Sequence, residues 1–401
     1  SGWISRSRSM AAQSFSSPFS SFGGNSSMES VGAVVRFIGG SGYLYRMDYT
    51  LESGIEPLRE AINLSLSQFV DRENEYLHAI GSELIPVAAA LKNFLIDSGK
   101  RFRPLFAAAG FVGSGGVLDQ ASINAVSSIE LVHVCALIHD DLMDGSDTRR
   151  GAPSIHKLFE KIHHDEKLTG SSTQFGLASA ILLGDLALVW ASKALHESGV
   201  DPQSLLRALP LYDEMRVELM AGQYLDVYEQ ALASESIERS LKVARYKSGK
   251  YSIERPHHFG ASLATGSNLD IYTSYGIPLG EAFQLRDDLL GVFGNPDQTG
   301  KPAGDDLREG KRTVLIASTL ERSNAEAKNR INFLLGKSDL SSAEIEELRG
   351  IITSSGAAKF VEDLIDQLTE QSLRALDTEA ITPDAKAFLI HMSDVATRRK
   401  Y

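Results

Sequence analysis

Two apolar helical runs, each ending in a pair of aspartates, constrain this 401-residue chain more than any other feature. The first lies in residues 133–151, HVCALIHDDLMDGSDTRRG, where Val134, Ala136, Leu137 and Ile138 lead into Asp140, Asp141 and Asp144. On a helix, positions four apart share a face, so Asp140 and Asp144 point the same way and repel by a few tenths of a kcal/mol. A hard divalent cation offsets that repulsion, since Mg²⁺ is commonly held by one or two carboxylates together with substrate phosphates. Arg149 and Arg150 follow, and a guanidinium grips phosphate oxygens as a rigid fork. Alone, Asp-Asp-x-x-Asp also suits a solvated helix face, but a second stretch repeats the pattern. Residues 283–291 read FQLRDDLLG, placing Asp287 and Asp288 behind another apolar run, with Lys301, Asp305, Asp306, Lys311 and Arg312 beyond. The two pairs read as opposite walls of one metal–diphosphate site.

Helical periodicity runs through most of the chain. Ile55, Leu58, Ile62, Leu66 and Val70 recur at threes and fours, the mark of an amphipathic helix. A second apolar pattern covers 84–96, and Pro104 is well placed to open the helix after GKRFRP (99–104). The adjacent His163 and His164, in the polar stretch 160–173, point to different helix faces and read as surface residues. Residues 177–195 carry Asp185 mid-run and read as a buried helix. Asp201 and Pro202 start the next helix. Gly222 costs roughly 1 kcal/mol relative to Ala inside a helix, which argues for close packing or substrate approach there. Gln223 and Asp226 share a face. A break or kink is expected near Pro256. No strand alternation and no nucleotide-binding glycine motif stands out. Residues 1–46 are rich in Ser and Gly and lack a helical period, so they read as a disordered extension, a tag or a targeting segment.

Composition narrows the partners. A net charge of −12 argues against nucleic acid, which calls for a basic surface, but not against an anionic substrate in a locally basic site. The single cysteine, Cys135, excludes an intrachain disulfide framework and reads as a small buried hydrophobe. No stretch reaches the roughly 18 consecutive apolar residues of a membrane span, so none is expected.

The motifs, in order, resemble those of the trans-isoprenyl diphosphate synthases: GKRFRP, HDDLMD with TRRG (148–151), GD (184–185), GQYLD (222–226), YKSGKYS (246–252), FQLRDD and TGKPAGDDLREGKRT (299–313). Each alone is weak, whereas the ordered set is specific, and its second half looks most like actinobacterial geranylgeranyl diphosphate synthases. The resemblance implies an all-α fold, a single-domain bundle of about ten or more helices around a central cavity, over residues 47–401. It implies head-to-tail condensation of isopentenyl diphosphate with an allylic diphosphate (dimethylallyl, geranyl or farnesyl). Asp140, Asp144 and Asp287 would hold Mg²⁺, three ions per site, with Mn²⁺ able to substitute. Arg149, Lys247, Ser248, Gln284, Lys301 and Lys311 would contact the allylic diphosphate. Lys100, Arg103, His133 and Arg150 would hold isopentenyl diphosphate, and the departing diphosphate would take the proton. A homodimer in the cytoplasm is implied too. Most relatives end the second motif in Asp, where this chain has Gly291, which leaves the ligands of that wall open.

By the same resemblance the growing tail runs along the helix that ends in Asp140. Ala136 and Cys135, four and five residues before it, are the first that could block the tail, and both are small; Val132 lies a turn deeper. Twelve residues of helix give a slot of about 18 Å, of the order of a twenty-carbon chain. Geranylgeranyl diphosphate is therefore the expected product, and a longer polyprenyl diphosphate the alternative. A class I terpene cyclase lacks GKRFRP and a second Asp pair. A non-catalytic partner subunit loses its acidic motifs, and only Gly291 speaks for that reading.

Overall fold

The first long helix, α1 (Ile55–Ile80), follows the expected stripe and buries Leu58, Ile62, Leu66 and Val70. A computed structural model of the chain describes residues 34–35, 47–48, 50–96, 99–294 and 304–398, all within one compact unit spanning Gly32–Tyr401. After α2 (Ile85–Ile96) come α3 (Phe102–Gly113), α4 (Gln120–Met143), α5 (Ile155–Asp165), α6 (Ser172–His196) and α7 (Pro202–Leu232). Next are α8 (Ile237–Val243), an eleven-residue π-helix (Ala244–Glu254), α9 (Arg255–Ala264) and α10 (Leu269–Phe293). The C-terminal part comprises α11 (Asp305–Glu309), α12 (Val314–Arg322), α13 (Ala325–Leu334), α14 (Ser342–Ser354), α15 (Ala357–Ala375) and α16 (Pro383–Thr397). The fold is all-α, as expected. Strand occurs among the described residues only as two short ribbons, Val34–Val35 with Met47–Asp48 and Thr148–Arg149 with Ala152–Pro153. The first falls partly inside the stretch expected to be disordered; the rest of 1–46 lies outside the described residues.

Local chemistry sets the helix starts. Asp119 accepts the N3 backbone N–H of Ser122, whose hydroxyl accepts the Asp119 N–H, a capping box that opens α4. Asp201 caps α7 with Pro202 in its first turn, as expected. Two apolar cores result. One joins α1–α7, the π-helix, α9, the first half of α10 and α16. The other joins the second half of α10 to α11–α15. The helix that carries Asp287 and Asp288 thus runs through both cores.

Two helices, α4 and α6, have the length and composition of a membrane span. The most apolar part of α4 is 72% buried inside the protein, against 44% for α6. Helix α6 buries Ala180, Leu183, Ala187 and Ala191, but Phe175, Ile181, Leu182 and Val189 face outward. It is buried on one side only, because a long apolar run covers more of the helix circumference than α4 and α5 occupy. His163 departs from expectation: it is buried, packs on Phe175 and bonds the Thr169 carbonyl, while its neighbour His164 is exposed.

Candidate active site

The acidic end of α4 and the acidic end of α10 face each other across a cavity of about 950 Å³. On α4 the cavity face carries His133, Ala136, Leu137 and Asp140, seven, four and three residues before Asp140, the spacing of one helix face. Cys135 and Val132 are fully buried and do not line the cavity. Five and eight residues before Asp140 the helix has turned them away, so of the three chain-length positions only Ala136 meets the space, joined by Leu137. Burial pushes the Cys135 thiol up to about 12, with Asp185 adding to it, so the thiol stays protonated.

The π-helix presents Lys247, Ser248 and Tyr251 to the cavity. Such wide turns recur at functional sites. A Cβ at Gly222 would lie 2.2 Å from the Lys247 backbone nitrogen, so glycine lets α7 meet the π-helix backbone to backbone. That contact sets the polar network of the first wall. Lys247 Nζ donates to Asp140 Oδ1 at 2.9 Å and to Asp226 Oδ2 at 2.6 Å, and Gln223 donates to Asp140 Oδ1 at 3.0 Å. Burial opposes the charge on Asp140, but Lys247, Lys311 and Arg149 outweigh it and hold the carboxyl well below the usual carboxylate range. Burial pushes Asp144 up to about 6, Lys311 opposing and Asp140 adding.

The hairpin Thr148–Pro153 turns at Arg150 (φ 53°) and Gly151 (φ 77°), the left-handed pair of a two-residue hairpin turn. It brings Arg149 and Arg150 to the cavity rim. The guanidinium of Arg149 forks onto Asp141 at 2.7 and 2.6 Å and lies 3.7 Å from Asp140 Oδ2. Asp141 is therefore the orienter of Arg149, a role the motif spacing did not reveal.

Lys311 reaches the cavity from beyond α11 and ties the walls together: its Nζ lies 3.2 Å from Asp144, 3.6 Å from Asp306 and 2.6 Å from Glu309. On the second wall Asp287, Asp288 and Gln284 line the cavity. Gln284 donates to Asp288 at 2.7 Å; burial pushes Asp288 up to about 8, Gln284 opposing. Lys301 lies outside the described residues.

The basic loop forms the third side. Lys100 and Arg103 line the cavity, but Arg101 turns into the protein, where it bonds Asn63, Glu130 and the Leu95 carbonyl. Arg101 thereby anchors the loop, through left-handed backbone at φ 51°. Arg103 stacks 4.3 Å over Tyr251 and donates to Ser252 at 2.8 Å, while its buried Nε–H has no hydrogen-bond partner. Burial, helped by Arg103 and Arg150, holds His133 well below its ordinary pKa, so it is neutral. Burial raises the Tyr251 phenol, which therefore stays protonated, and its oxygen shares a hydrogen bond of 2.6 Å with His133 Nδ1. Tyr251 is the residue that motif reading missed; its place one turn after Lys247 was the available signal.

Among the described residues no group of three His, Cys, Asp or Glu is close enough to hold a metal unaided. The donors present are carboxylates on facing walls, and buried Asp144 Oδ2 is neutralised only by the Lys311 ammonium 3.2 Å away. Hard oxygen donors that need a further ligand to complete a shell fit a divalent cation shared with a diphosphate.

The polyprenyl synthetase family model matches residues 86–352. The chain belongs to the polyprenyl synthetase family. As a polyprenyl synthetase it is a trans-prenyltransferase with the isoprenoid synthase fold. Geranylfarnesyl diphosphate synthase of Aeropyrum pernix is 30% identical over 78% of this chain and 94% of its own length. Geranylgeranyl diphosphate synthase of Sulfolobus acidocaldarius is 27% identical over 77% and 92%. A solved geranylgeranyl pyrophosphate synthase of Corynebacterium glutamicum, complexed with isoprenyl diphosphate and magnesium, superposes with a TM-score of 0.84 at 42% identity, covering 86% of this chain and all of that one.

Proposed function

We propose that residues 47–401 condense isopentenyl diphosphate with an allylic diphosphate and release geranylgeranyl diphosphate. The observation that carries this reading is the convergence of both acidic walls and the basic loop on one cavity. The relatives named for a twenty-carbon product support the chain length.

Asp140, Asp144 and Asp287 are the residues that would hold Mg²⁺, three ions by resemblance, with Mn²⁺ as a substitute. Bound metal supplies Lewis-acid stabilisation to the leaving diphosphate. Lys247, Arg149 and Lys311 place fixed positive charge where negative charge develops as the allylic C–O bond breaks, which is preorganised electrostatic stabilisation. Lys100, Arg103, Arg150 and His133 hold isopentenyl diphosphate so that its double bond attacks the allylic cation. Leu137, Ala136, Leu219, Phe102 and Phe283 give the tail an apolar wall. The departing diphosphate takes the proton that restores the double bond.

The enzyme works as a homodimer in this reading. Support comes from the outward apolar residues of α6 together with Leu206, Val217, Tyr224 and Tyr228 on α7, a larger apolar exposure than scattered surface residues account for. A cytoplasmic location suits its water-soluble diphosphate substrates. The test is a product assay with Mg²⁺, labelled isopentenyl diphosphate and each of the five-, ten- and fifteen-carbon primers. A single twenty-carbon diphosphate is expected. A product ladder well past that length would overturn the chain-length assignment, and no condensation with any primer would overturn the function.

A further inference from the structure

The second acidic motif lacks its final carboxylate because position 291 is glycine. We infer that Asp306, from the far end of the following loop, supplies that carboxylate to the divalent cation and diphosphate. The inference rests on the functional reading above and deepens it.

The decisive geometry is at Gly291. A Cβ built there would lie 1.9 Å from Asp306 Oδ2 and 2.5 Å from its Cγ. The Asp306 carboxylate thus occupies the volume into which a side chain at 291 would project. Position 291 is three residues after Asp288, on the same cavity-facing side of α10, and Gly291, Asp287, Asp288 and Asp306 all line the cavity. Glycine at 291 and aspartate at 306 are therefore two halves of one arrangement. The first opens the space and the second fills it with the charge that the motif lost.

Two further contacts fix Asp306 in place. Its backbone carbonyl accepts the Lys311 N–H at 3.1 Å, closing the turn around α11. Its Oδ1 lies 3.6 Å from Lys311 Nζ, which is also 3.2 Å from Asp144. One lysine thus holds the relocated carboxylate opposite the first wall, where the same ammonium pairs with buried Asp144 Oδ2.

The test is Mn²⁺ binding to the full chain in the presence of inorganic pyrophosphate, read by electron paramagnetic resonance as the fraction of bound metal. Asp306→Asn, which keeps the shape and removes the charge, is expected to weaken Mn²⁺ binding by about tenfold, the lower end for loss of a supporting carboxylate at a metal site. Adding Gly291→Asp to that variant should recover most of the loss, because the carboxylate then arises from α10 itself. Gly291→Asp alone should not tighten binding, since the two carboxylates compete for one space. Wild-type affinity in Asp306→Asn would overturn the assignment of Asp306, as would a double variant no better than Asp306→Asn. A wild-type chain that takes up no Mn²⁺ with pyrophosphate would overturn the metal–diphosphate reading itself, which separates the two failures. Circular dichroism of each variant shows that the helices persist.

Discussion

Lys247 holds two carboxylates, Asp140 and Asp226, that belong to different helices and are both largely buried. Removing one partner of a buried ion pair strands the others, at a cost of roughly 3–5 kcal/mol. Lys247→Met is therefore expected to lower the unfolding free energy from denaturant titration by that amount, and to cut kcat by about a hundredfold or more through loss of charge at the leaving group. Unchanged stability would mean that the carboxylates find other partners. At the other diphosphate site, Tyr251→Phe removes the hydroxyl that hydrogen-bonds His133 Nδ1 at 2.6 Å and holds the imidazole in place. A hydrogen bond of this kind contributes about 1 kcal/mol, so the KM for isopentenyl diphosphate should rise several-fold while the KM for the allylic primer holds. An equal rise in both would place Tyr251 in general packing instead.

At the level of elements, the contact between α7 and the π-helix positions most of the first wall. Gly222→Ala puts a methyl group 2.2 Å from the Lys247 nitrogen, so one backbone must move. Overpacking of this kind costs about 1–3 kcal/mol. The expected result is a lower thermal midpoint together with a fall in kcat, since Lys247 and Asp226 move apart. The helices themselves were legible because their apolar stripes and caps are local signals: α1 from its threes and fours, α7 from Asp201–Pro202. The π-helix was not, because its wide turns answer to backbone packing from α7 and α10 and carry no propensity signature. The Thr148–Pro153 hairpin escaped because strands of two residues are too short to show alternation, and buried His163 because Phe175 of the next helix packs over it. At the site, most of the motif residues line one cavity, while Asp144 and the Gly184–Asp185 pair do not and Lys301 lies outside the described residues. Asp306 and Tyr251 stood out only once the fold had brought loop and helix faces together, and helical rotation removed Cys135 and Val132 from the tail wall.

On the scale of the whole molecule, the core carries a pH signature. His257 packs among Phe106, Tyr272 and Tyr275. Its Nδ1–H donates to the Ile253 carbonyl and its buried Nε2 has no partner. Burial pushes its pKa down to about 3 from an ordinary 6.5. Between those values the unfolded chain binds a proton that the native state refuses, so stability falls as pH drops from 6.5 toward 3. The slope is up to about 1.4 kcal/mol per pH unit for this one group. Burial shifts His133 and His258 in the same direction, and they steepen the loss. Urea titrations across that window should show it, and His257→Phe should flatten the slope; an unchanged slope would assign the acid loss elsewhere. Chain length is also a property of the whole cavity. Ala136→Phe, on a small residue of α4 that lines the cavity, is expected to shift the product to fifteen carbons, as read by chromatography of the dephosphorylated alcohols.

The central claim is that the two aspartate walls act together on one diphosphate. It is tested most directly by single-turnover condensation of farnesyl diphosphate with labelled isopentenyl diphosphate in Asp140→Asn and Asp287→Asn separately. Each variant is expected to lose at least about a hundredfold in rate while keeping the helical signal of the parent chain. Either variant turning over at the parent rate would contradict the account, because its wall would then lie outside the chemistry.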